Sequence, residues 1–376
     1  MINIIKIKYN NKKVYQITIL KNRLKKIFSN IGKNIDLIVI LNSQTADPNF
    51  YYLTGFTSGL FENNILLVER NGIELITDRL EFETALEQKI KNMKIKSINK
   101  ANELEKYLKQ KLSNKIIGIN FSFLPIAYFR YLKQYKPKKI IDVGKAFMGA
   151  RLVKDEKEIE NIRIANEITK KAFKKIQQYF KTGITEKELA ATFEYLMRKN
   201  NASEEAFETI VSFDKNSALP HHFPDNTKLK ENSIVLIDAG AKYNNYCADI
   251  TQTFIFKPNK NSDKYKKIIE MYNIVKQAQQ IGLKNAKENA NGKEVHNAVN
   301  NFINSVHKGK YNGKFIHSLG HSIGIETHDG PGFSNQNNIL KENMIISDEP
   351  GIYINGFGGV RIENDVLIKK NKSVFL

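Results

Sequence analysis

The chain has 376 residues, with 59 Lys+Arg against 39 Asp+Glu for a formal net charge of +20, 41% hydrophobic residues and 26% charged ones. That composition is ordinary for a globular protein and excludes collagen-like, Pro-rich and wholly disordered chains; at about 150 residues per domain the length fits two domains. No apolar run reaches the roughly 18–20 residues of a membrane span. The N-terminal stretch is broken by Lys6 and Lys8 where a signal peptide needs an unbroken apolar core. One cysteine allows no internal disulfide, and together these features predict a cytoplasmic protein with no membrane attachment. The excess Lys is scattered, Arg is scarce beside it, and no basic block is interleaved with aromatics, so nucleic acid is not an expected partner.

Over the first 145 residues, strands and helices alternate. Asp36-Leu-Ile-Val-Ile-Leu41 reads as a short buried strand. The runs Asn64–Val68 and Ile73–Thr77 lie either side of Asn71-Gly72, the signature of a β-hairpin. Ile116–Ile119 is a further strand, and a helix runs from Pro125 to about Gln134. The alternation predicts an α/β domain with a mixed sheet over residues 1–148.

The texture changes near Asp142-Val-Gly144, and a second domain is predicted over 149–376. Ile159, Ile162, Thr169, Ala172, Phe173 and Ile176 keep a helical period. Lys181-Thr-Gly183 ends that helix with Gly suited to the C′ position, and Thr185-Glu-Lys-Glu188 is a capping box that opens the next. The order recurs with a long helix from Ser262 to about Ala290 and a second opening at Gly292-Lys-Glu-Val295. Each helix pair precedes a strand-rich segment, which predicts an α+β domain of two facing helix–helix–sheet halves. Two unrelated α+β segments would give the same pattern.

The chemistry-bearing residues cluster in this second domain. Ser233-Ile-Val-Leu-Ile-Asp238 ends an apolar strand in an aspartate, and Asp249-Ile-Thr251 starts another. With Tyr243-Asn-Asn245 as the turn, the two strands can pair with both carboxylates on one face. Burying two like charges side by side calls for a cation, although an Asp at a strand end also serves as a turn or cap residue. Five of the seven histidines, His221, His222, His317, His321 and His328, flank or follow these carboxylates, three of them in His317-Ser-Leu-Gly-His321-Ser-Ile-Gly-Ile-Glu326-Thr-His328. Ser347-Asp-Glu349-Pro350-Gly351 puts a glutamate at a strand end, and Gly359-Val-Arg361-Ile-Glu363 puts another in a strand, two residues after an arginine. Asp238, Asp249, His321, Glu349 and Glu363 thus offer four carboxylates and one imidazole, a charge that matches two divalent cations. An oxygen-rich set of this kind suits Mn²⁺, Co²⁺, Fe²⁺ or Zn²⁺ better than a thiolate structural site.

These five segments resemble the metal-binding motifs of the pita-bread metallopeptidases (M24), the family of methionine aminopeptidase, aminopeptidase P and prolidase. The region from about 150 to 376 is similar to the catalytic domain. The region before it, with Tyr52-Leu-Thr-Gly-Phe56 and Leu75-Ile-Thr-Asp78, resembles the N-terminal domain of the proline-specific branch. The resemblance implies a creatinase-like α/β N-terminal domain and a pita-bread catalytic domain with pseudo-two-fold halves. It implies hydrolysis of the bond between an N-terminal residue and a following proline, by a water activated between two divalent ions, Mn²⁺ or Co²⁺ first and Fe²⁺ or Zn²⁺ as alternatives. A proline-containing peptide is the implied partner, and a homodimer the implied assembly.

Position by position, the resemblance implies that Asp238 holds one metal, that Asp249 and Glu363 bridge both, and that His321 and Glu349 complete the other. Glu349 would also shuttle the proton, His221 rather than His222 would be the outer-sphere histidine, and His328 would donate to the substrate carbonyl. Arg361 and Tyr353 would orient the carboxylates from behind. His317 would line the proline pocket, or else is a packed strand histidine. Three departures stand out: Gln252 where the family has Arg, Asp348 where an apolar residue usually precedes the glutamate, and Asp329-Gly-Pro-Gly-Phe333 with no basic residue to grip a dipeptide's carboxylate. Alternation points Asp348 away from the metals. The other readings are a methionine aminopeptidase-like exopeptidase and a non-catalytic binding protein on the same fold.

Overall fold

The computed structural model describes residues 19–31 and 34–376; the charge-broken stretch 1–8 lies outside them. The chain divides into two compact units, one ending at Arg151 and the other beginning at Leu152. No helix among the described residues is long and apolar enough to cross a membrane.

The first unit is built on a six-stranded mixed sheet. Its order is Met93–Ser97, Gly72–Thr77, Ile65–Glu69, Leu37–Leu41, Ile116–Ile119 and Lys139–Asp142. The central strand Leu37–Leu41 is buried along its whole length, as its unbroken apolar run demands. The hairpin is present, but its turn is Arg70-Asn71, with Glu69 facing Gly72, one residue earlier than the Asn-Gly pair suggested. Gly72 is the first residue of the returning strand, at a point where the carbonyl of Asn92 passes 2.7 Å from where a Cβ would stand, so a side chain there would clash. Two edge strands, Met93–Ser97 and Lys139–Asp142, carry little strand signal: lysines alternate with the apolar residues of the first, and the second holds only Ile140 and Ile141 between Lys139 and Asp142. Helix Pro48–Thr54 ends at Gly55 in the left-handed conformation (φ +66°), which seats Phe50, Phe56 and Phe61 in mutual ring contact.

The second unit repeats one theme twice. Helices Glu156–Ile176 and Glu186–Lys199 pack on the antiparallel sheet Ile210–Phe213, Ser233–Ala239 and Ile250–Phe256, with Phe173 against Phe193 (4.7 Å between ring centroids) in the core between them. Helices Asp263–Asn285 and Gly292–Gly309 then cover the strands Ile345–Asp348 and Asn364–Leu367 and the hairpin Gly351–Ile354 with Gly358–Arg361. Capping boxes open the first two helices: Asp155 with Glu158, and Thr185 with Glu188. The first helix stops at Ile176, followed by a 3₁₀ turn over Gln177–Tyr179, so Gly183 (φ +92°) serves a later turn and not the helix C′ position.

The strand bearing Asp238 pairs with Ile250–Phe256 in the register Asp238 to Thr251, which puts Asp238 on the face that Asp249 shares two residues earlier. Between them Asn244 and Asn245, both at positive φ (48° and 68°), form the two-residue turn that a right-twisted hairpin favours. Gly240 lies where this ribbon crosses itself: a Cβ there would fall 1.7 Å from the carbonyl oxygen of Ala248. Gly240→Ala should therefore cost about 3 kcal/mol or more. Thermal denaturation checks this, and a melting temperature equal to that of the parent protein would refute the crossing as the constraint.

Candidate metal centre

Asp238, next to last in the strand Ser233–Ala239, lines a cavity of about 520 Å³, whose lining also includes Asp249, His321, Glu349, Glu363, Arg361, His221, His317 and His328. All five proposed ligands and all three proposed outer histidines therefore meet at one place. Asp249, His321 and Glu363 each offer a ligand atom within 4.8 Å of the others. His321 Nε2 is 3.6 Å from Asp249 Oδ2 and 3.5 Å from Glu349 Oε1. Donor atoms about 3–3.5 Å apart are what a cation with bonds of about 2.1 Å needs around it.

The backbone explains how residues so far apart in sequence converge. The N–H of Glu363 donates to the carbonyl of Thr251 (3.1 Å), and Thr253 Oγ1 donates to the carbonyl of Arg361 (2.8 Å). This pairing across the two halves takes Glu363 out of regular strand, contrary to the sequence reading: it lies in the break between Gly358–Arg361 and Asn364–Leu367. On the other side Ser347 N–H donates to the carbonyl of His321 and Glu349 N–H to that of Leu319, both at 2.9 Å, which fixes the histidine loop against the glutamate segment.

Arg361 is the one cation among the described residues lining the cavity, and it is fully engaged. Its guanidinium donates to Asp238 Oδ2, to Thr251 Oγ1 (3.0 Å) and to the Tyr353 hydroxyl (3.0 Å). Thr251 passes the contact on, donating to Glu363 Oε2 at 2.6 Å. Tyr353 in turn donates to His317 Nε2 (2.8 Å), because His317 Nδ1 donates to the Ser318 carbonyl at 2.7 Å and so carries the ring's proton. His317 thus lines the cavity from a loop, which removes the packed-strand alternative. His222 points away, its Nε2 2.8 Å from Glu186, and leaves His221 as the histidine of that pair on the cavity. The His328 ring lies on that of His321, with centroids 4.0 Å apart. Asp348 is directed away from the donor set and buried against Gly282 of the helix Asp263–Asn285.

The electrostatics of this set fit bound cations. Burial, then Glu363 and Asp238, push the Asp249 carboxyl well above the usual range, and burial with Glu349 and Asp238 does the same to Glu363. Glu349 is pushed up to about 8, chiefly by burial and against the pull of Arg361. Oδ1 of Asp238 and Oδ1 of Asp249 are buried with no hydrogen-bond partner, a costly arrangement for an anion that donates to nothing. Burial followed by His328 brings His321 down to about 4, which leaves its imidazole neutral, the form that binds metals. Unsatisfied acceptors, excess negative charge and a neutral imidazole form a donor set suited to divalent ions.

Several braces were not visible in the sequence. Gln279, on the helix Asp263–Asn285, donates through Nε2 to the carbonyls of Asp348 and Ile362 (3.2 Å each), the residues just before Glu349 and Glu363. Asn166, on the helix Glu156–Ile176, donates to Asp365 Oδ2 (2.7 Å), which also accepts the N–H of Asp249 at 3.2 Å. A buried Lys154–Asp329 pair (3.3 Å) holds the chain next to His328. Buried Asn and Gln inside amphipathic helical stretches were the available signal.

Residues 160–370 match metallopeptidase family M24, and residues 22–153 match the creatinase/prolidase N-terminal domain. The chain is 36% identical over 359 residues to an Xaa-Pro dipeptidase of Pyrococcus horikoshii, covering 94% of this chain and 96% of the relative. Among solved structures it is similar to an X-Pro aminopeptidase from Thermotoga maritima (TM-score 0.82, 35% identity, 91% and 95% of the two chains). It is also similar to the prolidase from Pyrococcus furiosus (TM-score 0.79, 34% identity, 91% and 96%). The paired helix–helix–sheet halves are accordingly a pita-bread catalytic domain, and the chain belongs to metallopeptidase family M24.

Proposed function

We propose that this enzyme hydrolyses the bond between an N-terminal residue and a following proline. The observation that carries the reading is the convergence of four carboxylates and a neutral His321 on one cavity that His221, His317 and His328 also line. The similar dipeptidase, aminopeptidase and prolidase support the substrate class, and they do not favour a methionine aminopeptidase-like specificity. An intact donor set also argues against a binding protein that has lost catalysis.

In this reading Asp238, Asp249, His321, Glu349 and Glu363 would hold two divalent ions, Asp238 serving one, His321 and Glu349 the other, and Asp249 and Glu363 both. Mn²⁺ or Co²⁺ is the preferred pair. When bound, such ions acidify a water molecule and polarise the scissile carbonyl. The protein's residues do the rest. Glu349 takes the proton released by the attacking water and delivers it to the proline nitrogen, which has no N–H of its own and must leave as a protonated amine. His328 donates to the carbonyl oxygen as negative charge grows there, with His221 beside it. His317, held in one tautomer by Tyr353 and Ser318, forms a rigid wall for the proline ring. Arg361 and Thr251 keep Asp238 and Glu363 at fixed separation. Because Arg361 is occupied by these contacts, no lining cation among the described residues is free for a dipeptide's carboxylate, and the substrate class extends to longer peptides. The working assembly is a cytoplasmic homodimer whose catalytic domain begins near residue 149.

Peptides of two to six residues beginning Xaa-Pro, assayed with Mn²⁺ or Co²⁺, should release the first residue from the longer members as well as from dipeptides. Cleavage of Met-Ala peptides with Xaa-Pro bonds untouched would overturn the specificity. Glu349→Ala should lower kcat at least about 1,000-fold, given the combined loss of a ligand and a proton carrier, with an unchanged circular dichroism spectrum; retained turnover refutes its role. Chelation should abolish activity and lower the melting temperature. At a hundredfold excess over Kd, restored metal stabilises by about 2.7 kcal/mol per site, on the order of 5–10 °C for a domain of this size. A melt indifferent to metal would contradict the ligand assignment.

A further inference from the structure

Glu186 is the first residue of the helix Glu186–Lys199, yet its side chain is completely buried. The carboxylate is the centre of the segment that carries His221. Oε1 accepts the backbone N–H of Phe213 (2.6 Å) and the amide of Asn216 (3.0 Å). Oε2 accepts the backbone N–H of Asp225 (3.0 Å) and His222 Nε2 (2.8 Å), which must carry a proton to face a carboxylate. One side chain therefore gathers residues 213, 216, 222 and 225, on both sides of His221, onto a helix end whose dipole favours an anion. Main-chain bonds from Glu186 N–H to Thr227 and from Lys187 N–H to Asp225 close the same belt.

Glu186, His222 and Asp225 also bring ligand atoms within 4.8 Å of one another. Each Glu186 oxygen, however, is already met by two N–H donors, an arrangement that holds an anion in place and leaves no room for a cation. We propose that Glu186 is a positioning residue that sets His221 against the metal cavity through this fourfold acceptor. The proposal rests on His221 being a working residue of the peptidase site.

The four donors make the test specific. In Glu186→Gln the amide nitrogen must face two N–H donors whichever way the group is turned. The variant should lose about tenfold or more in kcat/KM on an Xaa-Pro peptide with the metal-loaded enzyme. In a His221→Ala background the same change should cost less than twofold, and an equal loss in both backgrounds overturns the proposal. Amide hydrogen exchange gives a readout independent of turnover: Phe213 and Asp225 should exchange at least tenfold faster in Glu186→Gln while the sheet of Ser233–Ala239 is unchanged. Unchanged exchange at both amides also overturns it. If Glu186→Gln does not fold, His222→Ala removes a single donor and should lower kcat/KM several-fold, again only when His221 is present; an effect below twofold overturns the proposal. His221→Ala with full turnover removes the underlying role and the proposal with it. Wild-type enzyme inactive on every Xaa-Pro peptide overturns only the substrate reading, since the cycle can be run on any peptide the enzyme does cleave.

Discussion

Four carboxylates share one cavity with a single guanidinium, and that imbalance governs the catalytic domain. Two unit charges about 4 Å apart at an effective dielectric near 20 repel by about 4 kcal/mol, and Asp238, Asp249, Glu349 and Glu363 add several such terms. Arg361 offsets part of the repulsion and is tied to both flanks, through Asp238 on one side and through Thr251 to Glu363 on the other. His321 adds no compensating charge, because burial keeps its imidazole neutral. The arrangement is a preformed demand for positive charge, which is what an M24 metallopeptidase requires of its scaffold.

Holding mutually repelling groups in place takes rigid backing. The helices supply it with amides: Gln279 grips the main chain just before Glu349 and Glu363, and Asn166 works through Asp365 on the N–H of Asp249. Amide side chains suit this task because they hydrogen-bond without adding charge to a site that already has too much. The glutamate and histidine segments are further stitched together by backbone bonds across the fold, so a shift of one ligand moves its neighbour. Fixed spacing of this kind is what turns a group of acids into a selective donor set.

The parts of the fold written in local chemistry were legible from the sequence. The Thr185–Glu188 capping box, the Asn244-Asn245 turn and the apolar strand carrying Asp238 depend on residues within a few positions of one another. The donor-bearing segments were legible through their resemblance to the motifs of a metallopeptidase family; taken alone, an Asp near a strand end also reads as a turn or cap residue. What escaped depends on distant partners. The hairpin turn falls at Arg70-Asn71, and Gly72 is taken into the strand beside Asn92, the residue before the strand Met93–Ser97. Glu363 leaves its strand because its N–H is claimed by Thr251, a residue of the other half. Glu186 stands in sequence as an ordinary first-turn glutamate, and only the fold reveals that a loop is wrapped around it.

The separation of the ligands along the chain has a consequence for how the domain assembles. Asp238 and Asp249 are brought together within one hairpin, whereas Glu349 and Glu363 belong to the second half and reach them only across the contact between halves. Most of the charge repulsion therefore exists only where the two halves are joined, and joining them also carries the entropy cost of closing a long loop. Ions bound by ligands from both halves would favour the joined state over the separated one, because binding that needs the assembled site adds to its stability.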